Sequence, residues 1–130
     1  MHEVYEFLKA AGTYYLATIE GDQPRVRPFG TIDLFEDRLY IQTGKRKSVA
    51  DQLKANPQIE ISAMHAGRWI RLEAEAVLDE RIEAQEHMLE SYPSLKAMYA
   101  PGDGNTEVYF LRNVNASICS FISEPEVHQF

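Results

Sequence analysis

The sequence predicts a mainly β, α+β domain: a small antiparallel barrel of six or seven strands with helices packed outside it. Three observations carry this. Short segments rich in β-branched and aromatic residues recur along the chain, joined mostly by tight turns, which is the pattern of an antiparallel sheet. Residues 68–78 alternate throughout, with Ile70, Leu72, Ala74, Ala76 and Leu78 set against Trp69, Arg71, Glu73, Glu75 and Val77. A strand that long bends around a barrel. The connections are too short for parallel crossovers, and 130 residues suit a single domain with one core.

The elements follow in order. Val4, Phe7, Leu8 and Ala11 keep helical spacing and Gly12 ends that helix. Residues 14–19 read as a strand, and Glu20-Gly21-Asp22-Gln23 as a hairpin turn. A long extended stretch covers residues 24–35, Glu36-Asp37 turns the chain, and residues 38–43 form the next strand. After the basic loop at residues 44–47, Ser48 is placed to cap a helix that Asn56-Pro57 stops. Residues 58–64 alternate, and His65-Ala66-Gly67 turns into the long strand. Asp79 is placed to cap a helix over residues 80–91, and Pro93 breaks it. A short turn carries Leu95, Met98 and Tyr99, and residues 102–105 read as a mobile loop. Two final strands, residues 107–111 and 116–122, are joined by Arg112-Asn113-Val114-Asn115.

Charge narrows the function. The net charge of −7 argues against general nucleic-acid binding, which needs a basic surface. Between Pro24 and Ser48, however, six cations meet three acids, a net of +3, which leaves −10 for the remainder. A cationic island on an acidic chain needs a local explanation. No apolar run reaches the ~20 residues of a membrane span, the N-terminus lacks the regions of a signal peptide, and a single Cys fits a reducing compartment. A cytoplasmic protein that engages neither membrane nor nucleic acid is expected.

Within the island, Thr43-Gly44-Lys45-Arg46-Lys47-Ser48 combines a hydroxyl at a strand end, a flexible Gly, three cations and a helix start. A phosphate can use all of these, because the N–H groups of a first helical turn have no internal partner and the helix dipole is positive there. The spacing lacks the first Gly of a Walker A loop. The residues alone fit a solvated basic loop as well as an anion site. Arg25 and Arg27 alternate onto one face of a strand and are able to converge on the same anion. Pro28 and Gly30 mark an edge or a bulge: they let a flat ligand meet the backbone, or they merely protect the edge.

Other candidates point to structure. His2, His65, His87 and His128 are scattered and share no metal-ligand spacing, so no metal site is expected. Cys119 reads as a buried strand residue. Trp69 and Tyr109 suit a flat-ligand pocket or, equally, core or dimer packing.

The order Arg27-Pro28, then Leu39-Tyr40-Ile41-Gln42-Thr43, then Lys47-Ser48 entering a helix, then Leu53 and Asn56-Pro57 resembles the pyridoxamine 5′-phosphate oxidase-related FMN-binding proteins, with their split β-barrel. The resemblance spans nearly the whole chain in element order, and its specific part covers residues 24–57. It implies FMN held at the interface of a homodimer, with Arg27 and Lys47 on the phosphate, assisted by Thr43, Ser48, Arg25 and Lys45. It also implies that the backbone of Val26, Pro28 and Phe29 runs along the isoalloxazine, with Gln42 near the ring or ribityl chain. Trp69 and Tyr109 are the candidates for the partner's contribution. The chain departs from the true oxidase at Ser48-Val49, where that enzyme has an Arg-Lys pair, and it lacks the enzyme's C-terminal substrate-phosphate Arg pattern. The likeness is therefore to the short, general members. It implies an FMN-dependent oxidoreductase that passes a hydride or electrons between a nicotinamide or other donor and a small substrate. The alternatives are a non-catalytic flavin- or haem-binding storage or sensor protein, and an interaction module whose basic patch binds an acidic partner.

Overall fold

Alternating burial drives the sheet. In the computed structural model, which describes residues 1–130, the chain begins with helix α1 (His2–Ala11), which turns Val4, Phe7 and Leu8 inward. Gly12, at φ 76°, closes that helix and returns its N–H to the Leu8 carbonyl. Eight strands follow: β1 (Tyr14–Glu20), β2 (Gln23–Phe29), β3 (Asp33–Phe35), β4 (Arg38–Gly44), β5 (Gln58–His65), β6 (Arg68–Asp79), β7 (Thr106–Cys119) and β8 (Glu126–Gln129). Helix α2 (Ser48–Ala55) lies between β4 and β5, and helix α3 (Ile82–Ser91) leads into a 3-10 turn, Pro93–Ala97.

All strand pairs are antiparallel, in the order β2-β1-β5-β6-β7-β4-β3, with β8 added to β7. Neither β2 nor β3 finds a second partner, so the barrel stays split, and α2 packs against β1, β4 and β6. The core fills the inner face with Leu16, Ile61, Ile70, Leu72 and Ala116, all fully buried. No helix is long and apolar enough to cross a membrane.

Leu72 sits between Ile61 on β5 and Ala116 on β7. Leu72→Ala should cost about 2–5 kcal/mol of stability by urea titration, because the surrounding strands cannot collapse into the hole. A loss below about 1 kcal/mol would mean that the core is far more plastic than its packing implies.

Four expectations about the helices and strands change. The strands number eight rather than six or seven, because residues 24–35 divide into β2 and β3 and because β8 is added. Residues 106–119 form one strand instead of two: Asn113, at φ 52°, and a register shift between Glu73 and Glu75 bend the ladder without ending it. Asp79 does not cap α3 at its N-cap position, which Arg81 occupies. Its carboxylate instead accepts bonds from the Tyr40 hydroxyl (2.7 Å) and from the Arg81 side chain. Ser48 is the first helical residue of α2 rather than its cap, and Lys47 holds the N-cap position with no side-chain cap bond.

The loop expected to be mobile is well tied. The Asp103 carboxylate accepts the backbone N–H groups of Ala100 (3.0 Å), Asn105 (2.8 Å) and Thr106 (2.6 Å). Those bonds, that of Thr106 foremost, hold its carboxyl well below the usual range. On the other side of the fold, buried Asp33 anchors α3: its Oδ2 lies 2.7 Å from His87 Nδ1, and its Oδ1 accepts from Ser91 Oγ at 2.8 Å. The Tyr92 hydroxyl clips the start of the 3-10 turn to both the N–H and the carbonyl of Ile32.

Candidate functional site

The edge strand β2, the end of β4, the start of α2 and the 3-10 turn converge on one cleft of about 220 Å³. Arg27, Pro28 and Phe29 reach it from β2, and Gly30 and Thr31 from the crossing to β3. Gln42 and Thr43 come from β4, Lys47 and Val49 from the mouth of α2, and Leu95, Met98 and Tyr99 from the 3-10 turn and the residues just after it. Two cations and no acid line it. Pro28 leaves β2 without one N–H, which an edge strand tolerates.

The half-buried Arg27 is already oriented. Its Nη1 donates to the Thr18 hydroxyl (2.8 Å) and the Leu16 carbonyl (3.2 Å), and its Nη2 donates to Gln52 Oε1 on α2. Burial, with a smaller push from the positive charge of Arg25, lowers its pKa from the usual arginine value, though a guanidinium keeps its charge regardless. Arg27 therefore ties the cleft wall to α2. Arg25 is held elsewhere, because its Nε and Nη2 both donate to Glu20 Oε1, at 3.2 and 2.9 Å.

Lys47 stands at the N-terminus of α2. The loop before it is braced from outside: the Lys45 N–H donates to the Asn105 carbonyl at 2.7 Å and the Arg46 N–H to Asn105 Oδ1 at 3.3 Å. Gln42 is the most telling residue. It is 6% exposed, and its side-chain Nε2 is buried with no partner in the chain. A buried amide donor left unpaired costs about 1–3 kcal/mol, and a ligand acceptor in the cleft would repay it.

Of the twelve residues expected from the sequence, this cleft brings together Arg27, Pro28, Phe29, Gln42, Thr43 and Lys47. Val26 and Ser48 lie exposed beside it, and Arg25 is turned toward Glu20. Lys45 lines a separate depression with Asp79 and Glu80. Trp69 lies on another part of the sheet, its ring 4.9 Å from that of Phe121. Tyr109 is a core residue, 1% exposed, with its hydroxyl on Glu107. Sequence reasoning missed Leu95, Met98 and Tyr99 as cleft residues. Their i, i+3, i+4 spacing marked a shared face, but nothing local told that the face meets β4.

The fold and cleft define a split barrel with a cationic, partly apolar groove beside its open edge. The chain belongs to the pyridoxamine 5′-phosphate oxidase family, whose family model matches residues 1–112. It is similar to a NimC/NimA family protein from Clostridium acetobutylicum, with 45% identity and a TM-score of 0.97 over 100% of this chain and 92% of that one. More distant likenesses show the fold alone. A FAD-binding protein from Mesorhizobium loti matches at 17% identity and TM-score 0.62, covering 92% of this chain and 94% of that one. The heme storage protein HutZ from Vibrio cholerae matches at 17% identity and TM-score 0.66, covering 87% and 91%. No protein of curated function matches the sequence.

Proposed function

We propose that this chain is an FMN-binding flavoprotein, an oxidoreductase that works as a homodimer on a small substrate. The observation that carries the flavin half is the pairing, in one cleft, of Lys47 and Arg27 with the buried, unpartnered amide of Gln42. The residues fit the group. The two cations, the Thr43 hydroxyl and the first turn of α2 suit a phosphate dianion. Gln42 suits a polar edge of a ring or a sugar hydroxyl, and Pro28 to Gly30 offer backbone to a flat ligand. When bound, the flavin supplies two-electron chemistry between a nicotinamide or other donor and the substrate, and the chain supplies binding and orientation. Family membership supports this reading.

The dimer half rests on the outer face of the sheet. Directly paired residues share a face, and one row runs Pro28, Tyr15, Ser62, Arg71, Ser117 and Val127 across six strands. Beside that row lie Val26 (67% exposed), Met64 (69%) and Trp69, with Tyr15 at 52% and Val127 at 59% within it. Such a concentration of exposed apolar side chains supports the reading that a second copy covers this surface. It is continuous with the cleft at Pro28. The cleft's 220 Å³ also falls short of the roughly 300–1,000 Å³ usual for small-molecule sites, so a second copy would supply the missing wall.

Purified protein should be yellow, release a compound that comigrates with FMN, and sediment as a dimer. Colourless protein that shows no flavin binding on titration sinks the flavin half. A monomer at micromolar concentration sinks the dimer half alone. Flavin storage without turnover is the competing reading, favoured by a bound flavin that NAD(P)H fails to reduce. Haem storage would have to use Met98 or Tyr99 as the iron ligand, since the cleft lining carries neither His nor Cys.

A further inference from the structure

We propose that Tyr99 is a direct ligand of the cofactor's phosphate end, held in place by Gly44 and by the braced loop behind it. The proposal rests on the flavin reading and adds a residue that the resemblance did not supply.

Tyr99 lines the cleft together with Lys47, Thr43 and Arg27. Its ring lies against the corner where β4 becomes the basic loop. A Cβ added at Gly44 would meet the Tyr99 hydroxyl at 3.0 Å and its Cε1 at 3.3 Å. Gly44 is buried and not in the left-handed region, so its lack of a side chain serves this approach rather than a turn. The hydroxyl is also unspent. Tyr14, Tyr40, Tyr92 and Tyr109 place theirs on Thr31, Asp79, Ile32 and Glu107. Tyr99 has no such partner, and its hydroxyl is left to the cleft.

The support behind it is rigid. Asp103 gathers the N–H groups of Ala100, Asn105 and Thr106, and Asn105 then accepts the N–H groups of Lys45 and Arg46. One arm thus holds both Tyr99 and the loop that leads to Lys47. A phosphate at the mouth of α2 would receive a neutral O–H donor from the arm opposite the ammonium of Lys47. A donor to a charged oxygen is worth more than a neutral pair.

The test measures dissociation constants for FMN and for riboflavin, which lacks the phosphate, on wild type, Tyr99→Phe and Gly44→Ala. Phenylalanine keeps the ring and removes only the hydroxyl. Alanine at position 44 keeps the hydroxyl and displaces it. Each variant should weaken FMN about tenfold and leave riboflavin within about twofold. Equal losses for both flavins would mean that Tyr99 shapes the cleft without touching the phosphate, and would overturn the proposal. Unchanged FMN affinity in Tyr99→Phe overturns it too. Wild type that binds neither flavin overturns the flavin reading itself, and this proposal with it.

Discussion

Lys47→Ala should weaken FMN by about ten- to a hundredfold while riboflavin binding stays within about twofold. Lys47 stands where the unpaired N–H groups of α2 begin, and it lines the same cleft as Arg27. Unlike Arg25 on Glu20, or Lys54 on Glu107, it is bound to no carboxylate. Its charge is therefore free for an anion. Arg27→Ala is the noisier experiment. The hydroxyl of Thr18, the carbonyl of Leu16 and the amide of Gln52 all lose a donor there, so stability falls together with affinity. Isothermal titration of both flavins on the Lys47 variant separates the two effects. Equal losses for FMN and riboflavin would remove Lys47 from the phosphate site.

Three of the seven tyrosines should refuse to ionise until the chain unfolds. Tyr14, Tyr40 and Tyr109 are at most 1% exposed. Burial raises the Tyr40 hydroxyl to about 12, reinforced by its bond to the Asp79 carboxylate. Burial raises Tyr109 as well, with Glu107 adding to it, and burial alone dominates at Tyr14. The sign follows from linkage. A phenol whose folded pKa lies above its ordinary value of 10.0 contributes stability that is complete below that pH and is lost as pH climbs toward 12. Phenolate absorbance after a jump into that window should therefore rise in a fast phase for the accessible tyrosines, then in a slow phase that tracks loss of the circular dichroism of the sheet. A single reversible step that ionises every tyrosine before the sheet melts would contradict this burial.

Much of the fold was legible because it rests on local periodicity. The alternation from Trp69 to Leu78 marked β6 almost to its ends, and Gly12 and Asn56-Pro57 marked where two helices stop. What sequence reasoning missed depended on partners far along the chain. Arg112 to Asn115 look like a turn, yet β6 carries them through as a bulged strand. Glu126 to Gln129 carry a weak strand signal and become β8 only because β7 offers a free edge beside them. Asp79 reads as a cap by position, but Tyr40 and Arg81 compete for it and win. The cleft divides in the same way. Arg27, Gln42 and Lys47 stood out through charge and resemblance, whereas Tyr99 reaches the cleft beside Gly44, an approach that no spacing encodes.

The basic loop sends its cations in different directions, and this separates two kinetic roles. Lys47 faces the cleft, and on the proposed flavin reading it would govern how long the anion stays. Lys45 and Arg46 are exposed outside it. Charges placed there act through space, drawing an anion toward an otherwise acidic molecule and raising the arrival rate without touching the bound state. Salt would blunt that attraction while leaving residence time nearly unchanged. On that reading the charges at positions 45 and 46 would set how fast the site fills, while position 47 would set how slowly it empties.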